Sequence, residues 1–102
     1  MASRSVTVVR IYTRESSHQI KDLIKILREE EKVAGATVIR AQQGFGVDGV
    51  MHSQGLVELS LDLPLILEFY DAPERIEAIL QRLQAKMEIR HMLSWSALLH
   101  HG

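Results

Sequence analysis

Two stretches of this chain repeat apolar residues at helical spacing, and each lies between runs rich in β-branched and aromatic residues. In the first, Ile20, Leu23, Ile24 and Leu27 share one side, and Lys21, Asp22, Lys25, Arg28 and Glu29 take the other. In the second, Ile76, Ile79, Leu80, Leu83 and Met87 form the stripe. A helix with one apolar side must bury it, and the flanking runs offer a sheet to bury it against. The order of the two periodicities therefore limits the architecture more than any single motif does.

Residues 5–13, SVTVVRIYT, predict a first strand. Val6, Val8, Arg10 and Tyr12 lie on one face; Thr7, Val9, Ile11 and Thr13 lie on the other. Both faces are partly apolar, so neither suits full exposure to water. Residues 36–42 predict a second strand and 63–70 a third, with Leu63, Leu65, Leu67 and Phe69 on one face. Pro64 belongs at the start of that strand, because it cannot donate to a ladder. Residues 92–99 predict a fourth strand.

The helices are expected over about 17–33 and about 72–87. Ser16 and Gln19 have the spacing of a capping box, and Gly35 is placed to close the first helix. Asp71-Ala72-Pro73-Glu74 reads as an Asp N-cap followed by a first-turn proline. The cluster Arg28-Glu29-Glu30-Glu31-Lys32 reads as a solvated helix end.

The order β-α-β-β-α-β predicts an α+β, ferredoxin-like fold over 1–102 as a single domain: an antiparallel four-stranded sheet with two helices on one face. No chain remains to cover the other face, whose strands still carry apolar residues. An uncovered apolar sheet face marks an association surface, so a homo-oligomer is expected. The charges, 12 basic against 13 acidic, nearly cancel and are scattered, which argues against a nucleic-acid partner. With no cysteine, the chain has no disulfide, thiol nucleophile or thiolate metal site. No apolar run has the length of a membrane span or the form of a signal peptide, so a cytoplasmic location is expected.

Residues 43–64, QGFGVDGVMHSQGLVELSLDLP, hold four of the six glycines: Gly44, Gly46, Gly49 and Gly55. So many glycines in one connection cost backbone entropy and suggest a ligand-capturing loop; the competing reading is a plain hairpin excursion. Gly44 and Gly46 let backbone N–H groups approach a base or phosphate, or else form a bulge that ends the strand. Phe45 either stacks on a base or packs beneath the loop. Arg40 and Arg10 either pair a phosphate or form a salt bridge with Glu68. His52 can meet a phosphate, titrate near neutral pH, bind a metal, or act as an ordinary hydrogen-bonding residue. Residues 56–59 alternate and suggest a short strand, and Asp62 suits a turn cap. His18, His91, His100 and His101 show no H-x-x-x-H spacing, and no Ser/His/Asp set or paired carboxylates suggest an enzyme.

Gly35-Ala36-Thr37-Val38-Ile39-Arg40, Gly44-Phe45-Gly46, Gly49, His52, Leu59-Ser60 and Asp62-Leu63-Pro64 resemble the PII-like family called domain of unknown function 190. The Arg10-Ile11-Tyr12 strand and the Leu27-Arg28 helix end fit it as well. The resemblance implies a signalling or regulatory protein rather than an enzyme. It implies a homotrimer that holds an adenine nucleotide such as AMP, ADP or ATP in clefts between subunits. Arg10, Arg40, Gly44, Phe45, Gly46, Gly49 and His52 would be the nucleotide contacts. Loop 43–60 would respond to the ligand and engage a transporter, channel or enzyme. The resemblance is weakest in Glu88-Ile89-Arg90-His91-Met92, where PII proteins place basic phosphate contacts. The alternatives are a CutA-like metal-tolerance trimer, resting on His52 and the tail histidines, and a small ferredoxin-like enzyme working at a dimer cleft.

Overall fold

The computed structural model describes residues 2–45, 49, 51–53 and 63–101. Strand β1 (Ala2–Arg14) leads through a 3-10 turn (Glu15–Ser17) into α1 (Gln19–Lys25), which runs on as a π-helical turn (Ile26–Glu30). Strands β2 (Gly35–Arg40), β3 (Gln43–Gly44), β4 (His52–Ser53) and β5 (Pro64–Asp71) follow, then α2 (Pro73–Lys86) and β6 (Met92–His101). The main sheet has the order β2-β5-β1-β6, with every neighbouring pair antiparallel. The short β3 and β4 pair with each other, Gly44 opposite His52. The ferredoxin-like expectation is therefore the observed fold. The short strand suggested at 56–59 and the Asp62 turn cap lie outside the described residues.

Strand alternation sends Val9 and Ile11 of β1 to the same side as their cross-strand partners Phe69 and Leu67 of β5. Leu23 and Leu27 from the first helical segment, and Ile76, Ile79 and Leu83 from α2, close over them. All nine of these residues are at most 2% exposed. Each buried aliphatic or aromatic side chain contributes about 1.5–3 kcal/mol, so both predicted helical stripes stabilise the fold through this one core. The opposite face carries Val8, Arg10 and Tyr12 of β1, Glu68 of β5, Ile39 of β2, and Leu93 and Trp95 of β6. On it Ile39, Leu93 and Trp95 are exposed.

The helix ends differ from expectation because long-range partners win over local ones. His18 takes a left-handed φ of 58° and precedes α1 with no side-chain cap. Gln19 does not turn back to Ser16; its side-chain amide donates to the Glu88 carbonyl at 2.7 Å. Ser17 Oγ donates to the Arg14 carbonyl at 2.8 Å and shares a 2.6 Å hydrogen bond with Thr13. Lys32, with φ 52°, makes the left-handed turn expected of Gly35. Gly35 instead opens β2 opposite Tyr70, whose ring lies where a Cβ would stand: 2.6 Å from Cε1.

Two further expectations are corrected at the start of α2. Ala72 is the N-cap residue, with Pro73 in the first turn as expected. Asp71 ends β5 and accepts from the Ala72 N–H at 2.7 Å and the Ala34 N–H at 3.0 Å, with Arg75 as its ion-pair partner. Glu31 is no solvated helix end, being only 7% exposed. Arg82 grips it in a fork, Nε to Oε2 2.8 Å and Nη2 to Oε1 2.6 Å, while Arg75 donates to its carbonyl. The Arg82 hydrogen bonds hold the Glu31 carboxyl below its usual range, against the opposing effect of burial.

Candidate functional site

At one end of the sheet β1 and β2 finish and β5 and β6 begin. Three backbone bonds tie that end together: Ala41 N–H to the Pro64 carbonyl at 2.9 Å, Glu15 N–H to the Leu63 carbonyl at 3.1 Å, and Tyr12 N–H to the His91 carbonyl at 3.0 Å. The glycine-rich connection, the 3-10 turn and the 87–91 connection all leave the sheet here.

Arg40 is the last residue of β2, and its Nε lies 2.7 Å from Glu15 Oε1. That oxygen is buried and has no hydrogen bond among the described residues, so the contact is an ion pair without hydrogen-bond geometry. Gly44 lies in β3, where an added Cβ would press to 3.3 Å from Pro64 Cγ. Phe45 follows it and is 68% exposed, so it is not packed beneath the loop. Gly49 has a φ of 71°, a left-handed backbone that glycine adopts without strain. Gly46 lies outside the described residues. The backbone of His52 pairs with Gly44, and its side chain lies outside them.

Arg10 stands apart from that end, near the middle of the helix-free face. It faces Glu68 across the β1–β5 ladder and donates from Nε to Oε1 at 2.8 Å. Its guanidinium carbon lies 5.6 Å from the centre of the Trp95 ring, within cation–π range. The Glu68 hydrogen bond, helped by Tyr12, raises the guanidinium above its ordinary value. The alternative pairing of Arg40 with Glu68 is ruled out by register. Thr37 stands opposite Glu68, whereas Arg40 stands opposite Leu65, on the other face. The structure thus brings Arg40, Gly44 and Phe45 to the loop end and leaves Arg10 on the sheet face.

Sequence reasoning missed a cleft of about 420 Å³ at the same end. One wall is the end of β1 and the turn after it, with Thr13, Arg14, Ser16 and Ser17; the other is Glu88, Ile89 and Arg90. Gln19 bridges the walls through its bond to Glu88. The Tyr12 and His91 rings, 5.0 Å apart, join this region to the sheet face. The only signal in the sequence was Arg90, in the stretch of weakest resemblance. Among the described residues no group of three His, Asp or Glu gathers in a way that could hold a metal. Among them, too, no helix is long and apolar enough to cross a membrane.

The DUF190 family model, described as an uncharacterized ACR, matches residues 6–97. The chain belongs to the DUF190 family. This DUF190 chain is 36% identical over 81 residues to a UPF0166 protein of Methanocaldococcus jannaschii, covering 74% of the chain and 73% of the relative. Its fold is similar to that of a PII-like signaling protein from Thermus thermophilus, with TM-score 0.65 and 22% identity over 97% of this chain and 91% of the other. It is also similar to CPII of Thiomonas intermedia, described as bound to ADP and bicarbonate, with TM-score 0.62 and 15% identity over 96% and 89%. At these identities the structural likenesses establish a PII-like fold for the DUF190 chain.

Proposed function

We propose that this DUF190 chain is a PII-like regulatory protein, not an enzyme, that works in the cytoplasm as a homotrimer. It binds an adenine nucleotide in the clefts between subunits, and loop 43–60 is its ligand-responsive effector segment, presented to a transporter, channel or enzyme. One observation carries this reading. Arg40 and the exposed Phe45 leave the sheet at the same end, beside a helix-free face that exposes Ile39, Leu93 and Trp95. A cation and an unpacked aromatic ring suit a phosphate and a base, and the apolar face suits a second copy. The description of CPII as bound to ADP and AMP supports the choice of ligand class.

The test is isothermal titration of the intact protein with AMP, ADP, ATP and cyclic nucleotides. Saturable binding of at least one, with one site per chain, is expected. Absence of heat with all of them would end the nucleotide reading.

A further inference from the structure

A hollow of about 330 Å³ lies on the helix side of the sheet, at the end away from the glycine-rich connection, where β2 begins. Ile24 lines it from α1, Arg28 from the π-helical turn, Lys32 and Val33 from the connection that follows, and Ala36 from β2. Ala36 and Val38 stand opposite Phe69 and Leu67 and so share the face that the helices cover, yet both are exposed, Val38 to 41%. The helices therefore leave an apolar strip of the β2 edge unroofed. The chain reaches this edge by a left-handed turn. Val33 N–H donates to the Leu27 carbonyl at 3.1 Å, and Lys32, just before it, holds the position usually given to glycine. A lysine is strained there, and the turn makes no use of its side chain: the Arg75 bond at 3.5 Å goes to its carbonyl.

The charges around the hollow are unbalanced. Of the carboxylates in the same stretch, Glu30 is taken by Lys86 and Glu31 by Arg82. Arg28 and Lys32 are exposed and, among the described residues, have no acidic partner, Glu29 included. We propose that the hollow binds a medium-chain monocarboxylate, with its alkyl body against Ile24, Val33 and Ala36 and its carboxylate between Arg28 and Lys32. Small-molecule sites are mostly apolar with a few placed polar groups, and span about 300–1,000 Å³. This one stands at the small end of that range, which suits a short chain rather than a long acyl tail. An arginine gives a carboxylate two parallel hydrogen bonds, and a lysine adds a point charge. A bare phosphate would use the two cations and leave the apolar lining idle; an alcohol would do the reverse. The nucleotide reading concerns the opposite end of the sheet, so this proposal stands or falls apart from it.

The test is amide NMR titration of the full, isotopically labelled chain with octanoate, octanol and inorganic phosphate. Octanoate is expected to move the Ile24, Val33 and Ala36 amides saturably, octanol to bind at least about tenfold more weakly, and phosphate to give no saturable shift. Lys32→Gly relieves the left-handed turn, so it is expected to melt no lower than the wild type and yet to lose at least about tenfold in octanoate affinity. Arg28→Gln, which has no ion pair to lose among the described residues, should show the same loss without altering the turn. Equal binding of octanoate and octanol, or unchanged octanoate affinity in both variants, would overturn the proposal. So would an absence of saturation, or shifts confined to the helix-free face.

Discussion

Arg10 and Glu68 meet across β1 and β5 with Nε 2.8 Å from Oε1, on the one face of the sheet that no helix packs against. The pair neutralises itself within the chain, so neither charge stands unmatched on that face. Glu68→Gln removes the counter-charge and leaves a cation in that surface. Both side chains are about a third exposed in the single chain, so the cost falls on assembly: where a second copy buries the pair, leaving one partner unmatched is costly, whereas replacing both with apolar groups is often tolerated. Glu68→Gln is expected to weaken assembly at least about tenfold, and Arg10→Met with Glu68→Leu to restore most of it. Dilution series by sedimentation measure both; equal behaviour of the two variants would detach the pair from the interface.

Phe45 is 68% exposed, so its removal costs the fold little. Stacking of a base on an aromatic ring is worth about 1–3 kcal/mol. Phe45→Ala should therefore leave the melting temperature unchanged and reduce nucleotide affinity about tenfold to a hundredfold. Titration calorimetry beside a thermal melt separates the two. An unchanged affinity would remove Phe45 from the site.

Glu31 supplies a pH dependence whose sign follows from its partner. Its carboxyl is held below the ordinary value of 4.5 by Arg82. Stability from the pair is thus fully present above that value and is lost as pH falls through the lower folded-state value. The wild-type melting temperature should fall as the pH drops below about 4.5. Glu31→Gln should be less stable at pH 7 by about 1–3 kcal/mol, with a flatter acid limb. Parallel acid limbs for the two proteins would assign the acid sensitivity elsewhere.

Gly35 and Gly49 should respond differently to alanine. At Gly35 a Cβ would meet the Tyr70 ring at 2.6 Å, so Gly35→Ala must displace that ring, at about 1–3 kcal/mol. Pairing it with Tyr70→Ser should recover part of the loss. At Gly49 the surrounding space is open and only the positive φ resists, so Gly49→Ala should cost about 1 kcal/mol. Chemical denaturation of the three variants tests the ranking.

The fold was legible because it rests on periodicity. The stripes through Leu23 and Leu27, and through Ile76, Ile79 and Leu83, and the alternation of Val9 with Ile11, each point to one partner surface, and all are buried together. Pairings across the sheet were not legible, because register decides them. Arg40 and Glu68 are plausible partners by charge, yet they stand on opposite faces. The Ser16–Gln19 cap failed for a related reason: Gln19 finds an acceptor at Glu88, 69 positions away, which no local rule anticipates. Glu31 looked solvated because Arg82, its partner, is 51 positions along the chain. At the loop end, glycine content marked the connection but not the opposing cleft, whose walls come from the β1 turn and the 88–90 segment.

Sedimentation velocity of the wild-type protein at micromolar concentration tests the central claim most directly. The account predicts a single species of three times the 11.6 kDa chain mass, with the Trp95 face enclosed. A stable 11.6 kDa species would leave that face in water and contradict the account.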